Sequence, residues 1–362
     1  MIFKILIASV LVLSFVFYFL FYSNNTFLSK EQSLFETLTS TKTEIETIPK
    51  PEIITSPISI LYLREKIKEV DSPKYEIVQK VGNYAKYESY IVSYLSEGEK
   101  IFALLTIPKD EMPENGFPAI IFNHGYIPPK SYSTTGNYSA YVDYLASSGF
   151  VVLKIDMRGH GNSEGEAVGT YFGSSYTYDV ISALKSLQKS GVVNPKRIGV
   201  WGHSMSGNLV LRSMLVSEEI KAGVIWAGAV YSYRDFAKYR ISDSSFQRLP
   251  QTQPPKPNKN RETSPEISMF REDSSKIDFN SPFWKAISLT ENLNFLNSPL
   301  QIHHAVDDYV VNIGYSRDLK TELEKNNKVY EYFEYQSGGH NITGISFNQA
   351  MQRSVEFFKK NL

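Results

Sequence analysis

The segment Arg197-Ile-Gly-Val-Trp-Gly-His-Ser-Met-Ser-Gly207 constrains the fold more than any other part of the chain. It predicts an apolar strand, then a sharp turn that carries Ser204, then a helix that begins near Asn208. A serine on such a turn has a strained backbone, so the residues two before and two after it must be small, and here they are Gly202 and Ser206. The helix start also places partial positive charge beside Ser204, where it can stabilise an oxyanion. Taken alone, an ordinary strand-to-helix turn is the alternative.

The composition narrows the class of protein further. The chain has 362 residues, of which 42% are hydrophobic and 14% aromatic, enough for a sizeable core in one large domain or two small ones. Lysine plus arginine and aspartate plus glutamate number 38 each, and this balance argues against a nucleic-acid binder. The chain has no cysteine, which excludes disulfides, a thiolate nucleophile and cysteine-bound zinc. No spacing of histidine, aspartate and glutamate indicates a metal site, so neither a metal nor a cofactor is expected.

The first 73 residues differ from the rest of the chain. Residues 5–22 are almost wholly apolar and follow Lys4, and their length is close to the roughly 20 residues that span a bilayer. Because no Ala-X-Ala cleavage site follows, residues 1–23 are predicted to be an uncleaved transmembrane signal anchor, with cleavage and secretion as the alternative. Lys4 places the amino terminus inside and the remaining chain outside, which predicts a membrane-anchored, extracytoplasmic protein. Residues 24–73, rich in Thr, Ser, Glu and Lys, are predicted to be a stalk or linker.

Residues 74–362 alternate between strand and helix patterns and are predicted to form one domain. Strands are predicted at residues 87–95, 101–107, 118–123, 150–156, 197–202, 222–228, 299–304 and 329–335. Helices are predicted at residues 138–148, 175–190, from 208, 316–325 and 347–360. This alternation predicts an α/β fold with a mostly parallel sheet covered by helices on both faces. The alternation stops over residues 231–285, a partly proline-rich insertion that is predicted to be an irregular cap or lid.

An acid and a base can be assigned from chain order. In folds with this serine turn, the nucleophile comes first, then the acid, then the histidine. Asp307 and Asp308 follow the predicted strand 299–304; Asp308 fits the register better, and Asp307 stays the alternative. Of six histidines, only His340 follows this pair in the sequence, in a Ser-Gly-Gly-His-Asn loop after the last predicted strand.

Two backbone N–H groups are candidates for an oxyanion hole. The loop at residues 123–129 follows a predicted strand, and by position Tyr126 would supply one N–H, while Met205, directly after Ser204, would supply the other. An ordinary Gly/Pro turn is the alternative for the loop. The remaining histidines are expected to be structural or to shape the loop and the turn: His124, His160, His203, His303 and His304.

From about Tyr87 to Leu362, the chain resembles the α/β-hydrolase fold, and most closely the catalytic domain of the prolyl oligopeptidase (peptidase S9) family and its esterase relatives. The resemblance implies Ser204 as the nucleophile, Asp308 as the acid and His340 as the base. The chain departs from the family pattern at three positions, because Ser206 and Ala305 stand where glycine is usual and Asn312 stands where proline is usual. No room remains for the large propeller that limits access in oligopeptidases. The motifs that carry the resemblance are Asn123-His-Gly-Tyr, Asp156-Met-Arg-Gly-His-Gly-Asn-Ser-Glu-Gly165, Gly191-Val-Val-Asn-Pro-Lys-Arg-Ile-Gly-Val-Trp-Gly-His-Ser-Met-Ser-Gly207, Gln301-Ile-His-His-Ala-Val-Asp-Asp and Gly339-His-Asn.

The resemblance implies a serine hydrolase that cleaves ester or peptide bonds through an acyl-enzyme. The expected partners are a small ester or peptide substrate and a membrane, the latter through the amino-terminal anchor; no nucleic-acid partner is expected. A carboxylesterase without peptidase activity is one alternative. The other is a non-catalytic hydrolase fold that serves as a binding module.

Overall fold

The computed structural model describes residues 55–241 and 259–362. The predicted signal anchor and residues 24–54 of the predicted stalk lie outside this part of the chain. Within residues 55–241 and 259–362, no helix combines the length and the apolar character that a bilayer span requires.

The strands of the described chain form one sheet. The spatial order is β1-β2-β3-β5-β4-β6-β7-β8-β9. The first three strands pair antiparallel, as do β3 and β5, whereas all pairs from β5 to β9 are parallel. The predicted α/β fold with a mostly parallel sheet is therefore confirmed. The strands are β1 Glu76–Asn83, β2 Tyr87–Ser96, β3 Glu99–Pro108, β4 Phe117–Asn123, β5 Val151–Ile155, β6 Val193–His203, β7 Gly223–Trp226, β8 Leu300–Ala305 and β9 Tyr330–Tyr335.

Helices cover both faces of the sheet, and an apolar cluster fills the space under each layer. One cluster contains side chains of α1, α3, α4 and α8, and the other contains side chains of α2 and α9. Because helices bury the central strands from both sides, these strands are rich in apolar residues, and every residue of β5 is buried, including Lys154. The helices are α1 Ile60–Lys66, α2 Ser139–Ala146, α3 Ser175–Gln188, α4 Met205–Val216, α5 Tyr233–Tyr239, α6 Pro265–Glu272, α7 Pro282–Ile287, α8 Gly314–Lys325 and α9 Ile345–Asn361.

Part of the predicted stalk belongs to the folded domain, which corrects the boundary expected at residue 74. Helix α1 lies within the range 24–73 and packs against α4, where the Arg64 guanidinium donates to the Leu215 carbonyl at 2.6 Å. Ile60 and Leu63 are fully buried. With Ile67 they recur at the spacing of one helix face. The seven-residue helix is too short for its pattern to stand out from the polar composition around it.

The insertion at residues 231–285 is more regular than predicted. Its described residues form α5, α6 and α7, which pack through an aromatic cluster. In this cluster the Phe270 ring lies edge-on to the Tyr233 ring, with the ring centroids 5.7 Å apart, and the buried Trp284 contacts both rings. Aromatic packing of this kind offsets the entropy of ordering short helices. A role as a cap over the site stays a prediction.

Candidate active site

The turn around Ser204 has the strained geometry that the sequence predicts. Strand β6 ends at His203 and α4 begins at Met205, so Ser204 alone forms the junction. Its φ is 54° and its ψ is −119°, a backbone conformation that side-chain-bearing residues rarely adopt. A Cβ on Gly202 would lie 2.6 Å from the Ser206 carbonyl oxygen and 2.7 Å from the Val210 side chain. Glycine is therefore required two residues before Ser204.

Ser206 occupies the position where the related pattern has glycine, and its hydroxyl is accommodated by a hydrogen bond. The side chain is fully buried, and Oγ donates to the His124 carbonyl oxygen at 2.5 Å. His124 lies in the loop that follows β4. The extra hydroxyl thus joins the start of α4 to this loop.

The predicted site residues meet at one edge of the sheet because they follow parallel strands. Asn123 at the end of β4 pairs with Gly202 near the end of β6, so the loops after these strands are neighbours. The loops after β8 and β9, which carry the aspartate pair and His340, leave the sheet at the same edge. Such an edge, outside the carboxyl ends of parallel strands, is where sheets of this class bind ligands.

Three of the predicted side chains form an unbroken hydrogen-bonded path. Ser204 Oγ lies 2.9 Å from His340 Nε2, and His340 Nδ1 lies 2.8 Å from Asp308 Oδ2. Because a carboxylate can only accept, Nδ1 carries the proton, and Nε2 then accepts from the serine hydroxyl. The structure therefore brings together Ser204, His340 and Asp308, in the orientation that proton abstraction from the serine requires.

Asp308 is held as a buried carboxylate by several donors. Its Oδ1 accepts the backbone N–H groups of Val310 and Val311 at 2.9 and 3.0 Å. His304 Nε2 lies 3.2 Å from Oδ2, on the same oxygen that faces His340. Burial raises the pKa of Asp308, but hydrogen bonds from His304 and His340 outweigh it and hold the pKa well below its usual range. The carboxyl group is consequently ionised at neutral pH.

Asp307 has a structural contact that the sequence did not indicate. Its side chain accepts the backbone N–H of Gly338 at 3.2 Å and that of Gly339 at 2.8 Å. These glycines directly precede His340. Asp307 thus fastens the loop that carries His340, although its own carboxylate faces no histidine in the path to Ser204.

The predicted oxyanion donors lie on either side of Ser204. Met205 is the first residue of α4, so its N–H is among the donors that have no acceptor within the helix. Tyr126 lines the same pocket as Ser204. A Cβ on the preceding Gly125 would lie 3.2 Å from the Ser204 Cβ, so this loop passes close to the serine. Donation from Tyr126 and Met205 to an oxyanion stays a prediction.

The pocket above Ser204 has a volume of about 430 Å³. Within the described chain, its lining includes no aspartate, glutamate, lysine or arginine. The same part of the chain holds no group of three or more histidine, aspartate and glutamate residues placed to bind a metal ion. The lining residues are Gly125, Tyr126, Ile127, Asn137, Tyr138, Tyr141, His203, Ser204, His340, Asn341 and Thr343.

Two residues beside this path were not singled out from the sequence for the chemistry. His304 was expected to be structural, yet its ring contacts Asp308. The phenol of Tyr138 contacts the ring of His203, 65 residues away in the chain. The only sequence signal for His304 is its position four residues before Asp308, and no sequence pattern pairs Tyr138 with His203.

Comparison with known proteins places the site in a family. A family model described as serine aminopeptidase, S33, matches residues 117–344, which include Ser204, Asp308 and His340. The chain is 30% identical over 178 residues to the protein named "Probable dipeptidyl-aminopeptidase B" of Metarhizium robertsii, covering 46% of this chain and 19% of that protein. It spans about half or less of the length of the curated relatives that it matches.

Solved structures share the fold. Acetyl xylan esterase 1 from Thermoanaerobacterium sp. JW/SL YS485 superposes with a TM-score of 0.59 at 18% identity, covering 82% of this chain and 92% of that one. Dipeptidyl peptidase 4 of Porphyromonas gingivalis superposes with a TM-score of 0.58 at 23% identity, covering 77% of this chain and 36% of that one. The predicted α/β-hydrolase fold, with likeness to both esterases and S9 peptidases, is confirmed.

Proposed function

Because the chain belongs to the serine aminopeptidase (S33) family of hydrolases, we propose that it is a serine hydrolase in which Ser204 attacks the carbonyl carbon of an acyl substrate. Its main support is the path of 2.9 and 2.8 Å contacts from Ser204 through His340 to Asp308. A non-catalytic binding module would have no use for a serine in strained backbone geometry facing an oriented histidine.

The reaction begins with proton transfer from the serine. His340 Nε2 removes the Ser204 hydroxyl proton as Oγ forms a bond to the carbonyl carbon, and the carbonyl π electrons move to the oxygen. Asp308 accepts from Nδ1–H throughout and stabilises the imidazolium that forms. Its lowered pKa keeps it ionised for this role.

The oxyanion is stabilised by backbone N–H groups of Tyr126 and Met205, the second of which also benefits from the α4 helix dipole. The tetrahedral intermediate collapses when the bond to the leaving group breaks, and the imidazolium of His340 gives its proton to the departing alcohol or amine. Water then attacks the acyl-serine ester, with His340 as the base, and this step releases the acid and regenerates Ser204.

We propose that the preferred substrate is an ester with an uncharged acyl group. A free α-amino group is a cation at neutral pH, and its recognition requires a carboxylate close to the nucleophile. The described lining offers tyrosine, asparagine and threonine side chains instead. Peptides with a free amino terminus are therefore expected to be poorer substrates.

Labelling of the purified full-length protein by a fluorophosphonate probe tests the hydrolase proposal, with the heat-denatured protein as its control. The expected result is one covalent adduct at Ser204. Absence of labelling in the folded protein would favour the binding-module alternative.

The substrate proposal has a matched test that holds the leaving group constant. N-acetyl-alanine p-nitroanilide and alanine p-nitroanilide share the scissile bond and the leaving group. They differ at the amino end, which is an uncharged acetamide in the first and a cation in the second. A higher kcat/KM for the acetylated compound is expected, along with turnover of p-nitrophenyl butyrate. A preference for the free amine would overturn the proposal of an uncharged acyl group while leaving the hydrolase proposal intact.

We further propose that residues 1–23 anchor the enzyme in a membrane, that residues 24 to about 54 tether it, and that the catalytic domain faces the extracytoplasmic side. The apolar run at residues 5–22, with Lys4 before it, supports an anchor. The packing of α1 supports a domain that begins before residue 60.

Removal of residues 1–23 should release a soluble enzyme with unchanged kcat/KM for p-nitrophenyl butyrate, because the proposed anchor lies outside the catalytic domain. The full-length protein should sediment with membranes, and the shortened protein should stay in the supernatant after ultracentrifugation. Aggregation or loss of activity in the shortened protein would mean that residues 1–23 pack on the domain.

A further inference from the structure

His203 directly precedes Ser204, and both of its ring nitrogens contact residues outside the turn that carries Ser204. Its ring is buried. Nδ1 lies 2.7 Å from the Tyr138 hydroxyl, and Nε2 lies 2.8 Å from the backbone carbonyl oxygen of His340. The hydroxyl of Tyr138 in turn accepts the backbone N–H of Gly125 at 2.9 Å. One chain of hydrogen bonds therefore joins the segment between β4 and α2, the turn at Ser204 and the loop that carries His340.

The chemistry of the partners fixes the direction of every bond. A carbonyl oxygen can only accept, so His203 Nε2 carries the proton and Nδ1 is a lone-pair acceptor. The Tyr138 hydroxyl therefore donates to Nδ1 and uses its oxygen lone pair for Gly125. Burial, and then the nearby charge of His340, lower the pKa of His203 to about 3, so the ring stays neutral during turnover.

The two ends of this chain of hydrogen bonds lie at the oxyanion loop and at the proposed base, the two groups that the reaction needs beside the nucleophile. Gly125 precedes Tyr126, the predicted oxyanion donor, and a Cβ on Gly125 would lie 2.8 Å from the Tyr138 hydroxyl. The other end is the backbone of His340, the proposed base. Tyr138 itself has φ 60° and ψ 21°, a left-handed conformation that is unfavourable for tyrosine, and it projects its phenol from the start of α2.

We infer that Tyr138 and His203 are positioning residues that set the distance between the oxyanion loop and the general base. This inference rests on the proposed hydrolase function. This chain of hydrogen bonds passes through His203, which is adjacent to the nucleophile, so it holds the oxyanion loop and the general base at fixed positions relative to Ser204. The hydrogen bonds of Tyr138 and those of His203 depend on each other.

Kinetics of ester hydrolysis by the full-length protein and its variants test the inference. Tyr138→Phe removes the hydroxyl and should lower kcat about tenfold, because Gly125 N–H and His203 Nδ1 each lose a partner. His203→Leu should lower kcat at least as much. His203→Gln, which retains an amide donor for the His340 carbonyl, should recover about half of that loss on a logarithmic scale. Tyr144→Phe, in the helix that Tyr138 precedes but outside the pocket lining, is the matched control and should leave kcat unchanged.

The double variant Tyr138→Phe/His203→Leu distinguishes positioning by one connected chain of hydrogen bonds from two separate structural roles. If the two residues act through one chain of hydrogen bonds, Tyr138→Phe should lower kcat by about twofold or less once Leu replaces His203. Losses that multiply would overturn the inference, as would Tyr138→Phe and Tyr144→Phe with equal kcat.

A spectroscopic measurement on the unsubstituted protein covers the case in which a variant fails to fold. Nitrogen-15 NMR of labelled histidine should show His203 as a neutral ring with the proton on Nε2, and this state should persist down to about pH 5. Fluorophosphonate labelling of the same sample reports on the proposed function. If the protein reacts with the fluorophosphonate but His203 carries its proton on Nδ1, the positioning inference alone is refuted. If the protein does not react with the fluorophosphonate, the hydrolase proposal is refuted.

Discussion

Replacing Ser204 with alanine should lower kcat for p-nitrophenyl butyrate by about a millionfold and leave the fold intact. Alanine retains the Cβ, so the strained backbone at φ 54° is no more costly than in the wild type. It removes the only atom that can form the acyl bond in the proposed mechanism. Steady-state kinetics give the loss in kcat, and thermal unfolding followed by circular dichroism gives the stability of the variant.

Ser206→Ala is the matched control for this experiment. Its hydroxyl lies two residues away on the same turn, but it donates to the His124 carbonyl oxygen at 2.5 Å and makes no path to His340. Loss of this bond should cost at most about tenfold in kcat, through a less rigid oxyanion loop. If Ser206→Ala were inactive and Ser204→Ala active, the nucleophile would have been placed two residues out of register.

Asp308→Asn should lower kcat by about 10⁴-fold. Because Oδ1 of Asp308 accepts two backbone N–H groups, the amide oxygen of asparagine should keep that position and its NH2 group should face His340 Nδ1. The NH2 group can only donate, so the imidazole proton moves to Nε2, where it blocks abstraction of the Ser204 proton. The amide also cannot balance the charge of the imidazolium. The side chain is buried, so little solvent is available to replace the lost charge.

Asp307→Asn separates the role of the acid from that of its neighbour. The carboxylate of Asp307 accepts from Gly338 and Gly339, and an amide oxygen can still accept one of these bonds. The expected loss is within about tenfold of wild type. Measured side by side on one ester, the reverse ranking of the two variants would transfer the role of the acid to Asp307.

The sequence predicted those parts of the site that chain order and turn sterics determine. Small residues around Ser204 specify the turn, and the order serine, aspartate, histidine leaves His340 as the one candidate base. The edge of a parallel sheet then brings the loops together whatever the details of packing. Asp308 could be preferred over Asp307 only by register, since two adjacent carboxylates have the same chemistry in a sequence.

Features that depend on distant partners could not be predicted in this way. Tyr138 is one of many tyrosines in the chain, and its hydroxyl meets His203 only because α2 packs beside the ends of β4 and β6. Helix α1 has a helical apolar spacing, but seven residues among proline, serine and threonine do not outweigh a linker composition. The short helices of the insertion likewise depend on aromatic contacts between segments that are far apart in sequence.

The wide spacing of the three side chains along the chain has a consequence for biosynthesis. The proposed nucleophile and its proposed base are 136 residues apart, and the base lies in the loop after β9. At the ribosome, Ser204 is therefore added many seconds before His340. A nascent chain at that stage has an ordinary serine hydroxyl that no base activates. In the proposed mechanism, hydrolytic competence is acquired only after His340 has been added, so products that stop before His340 should carry no partial activity.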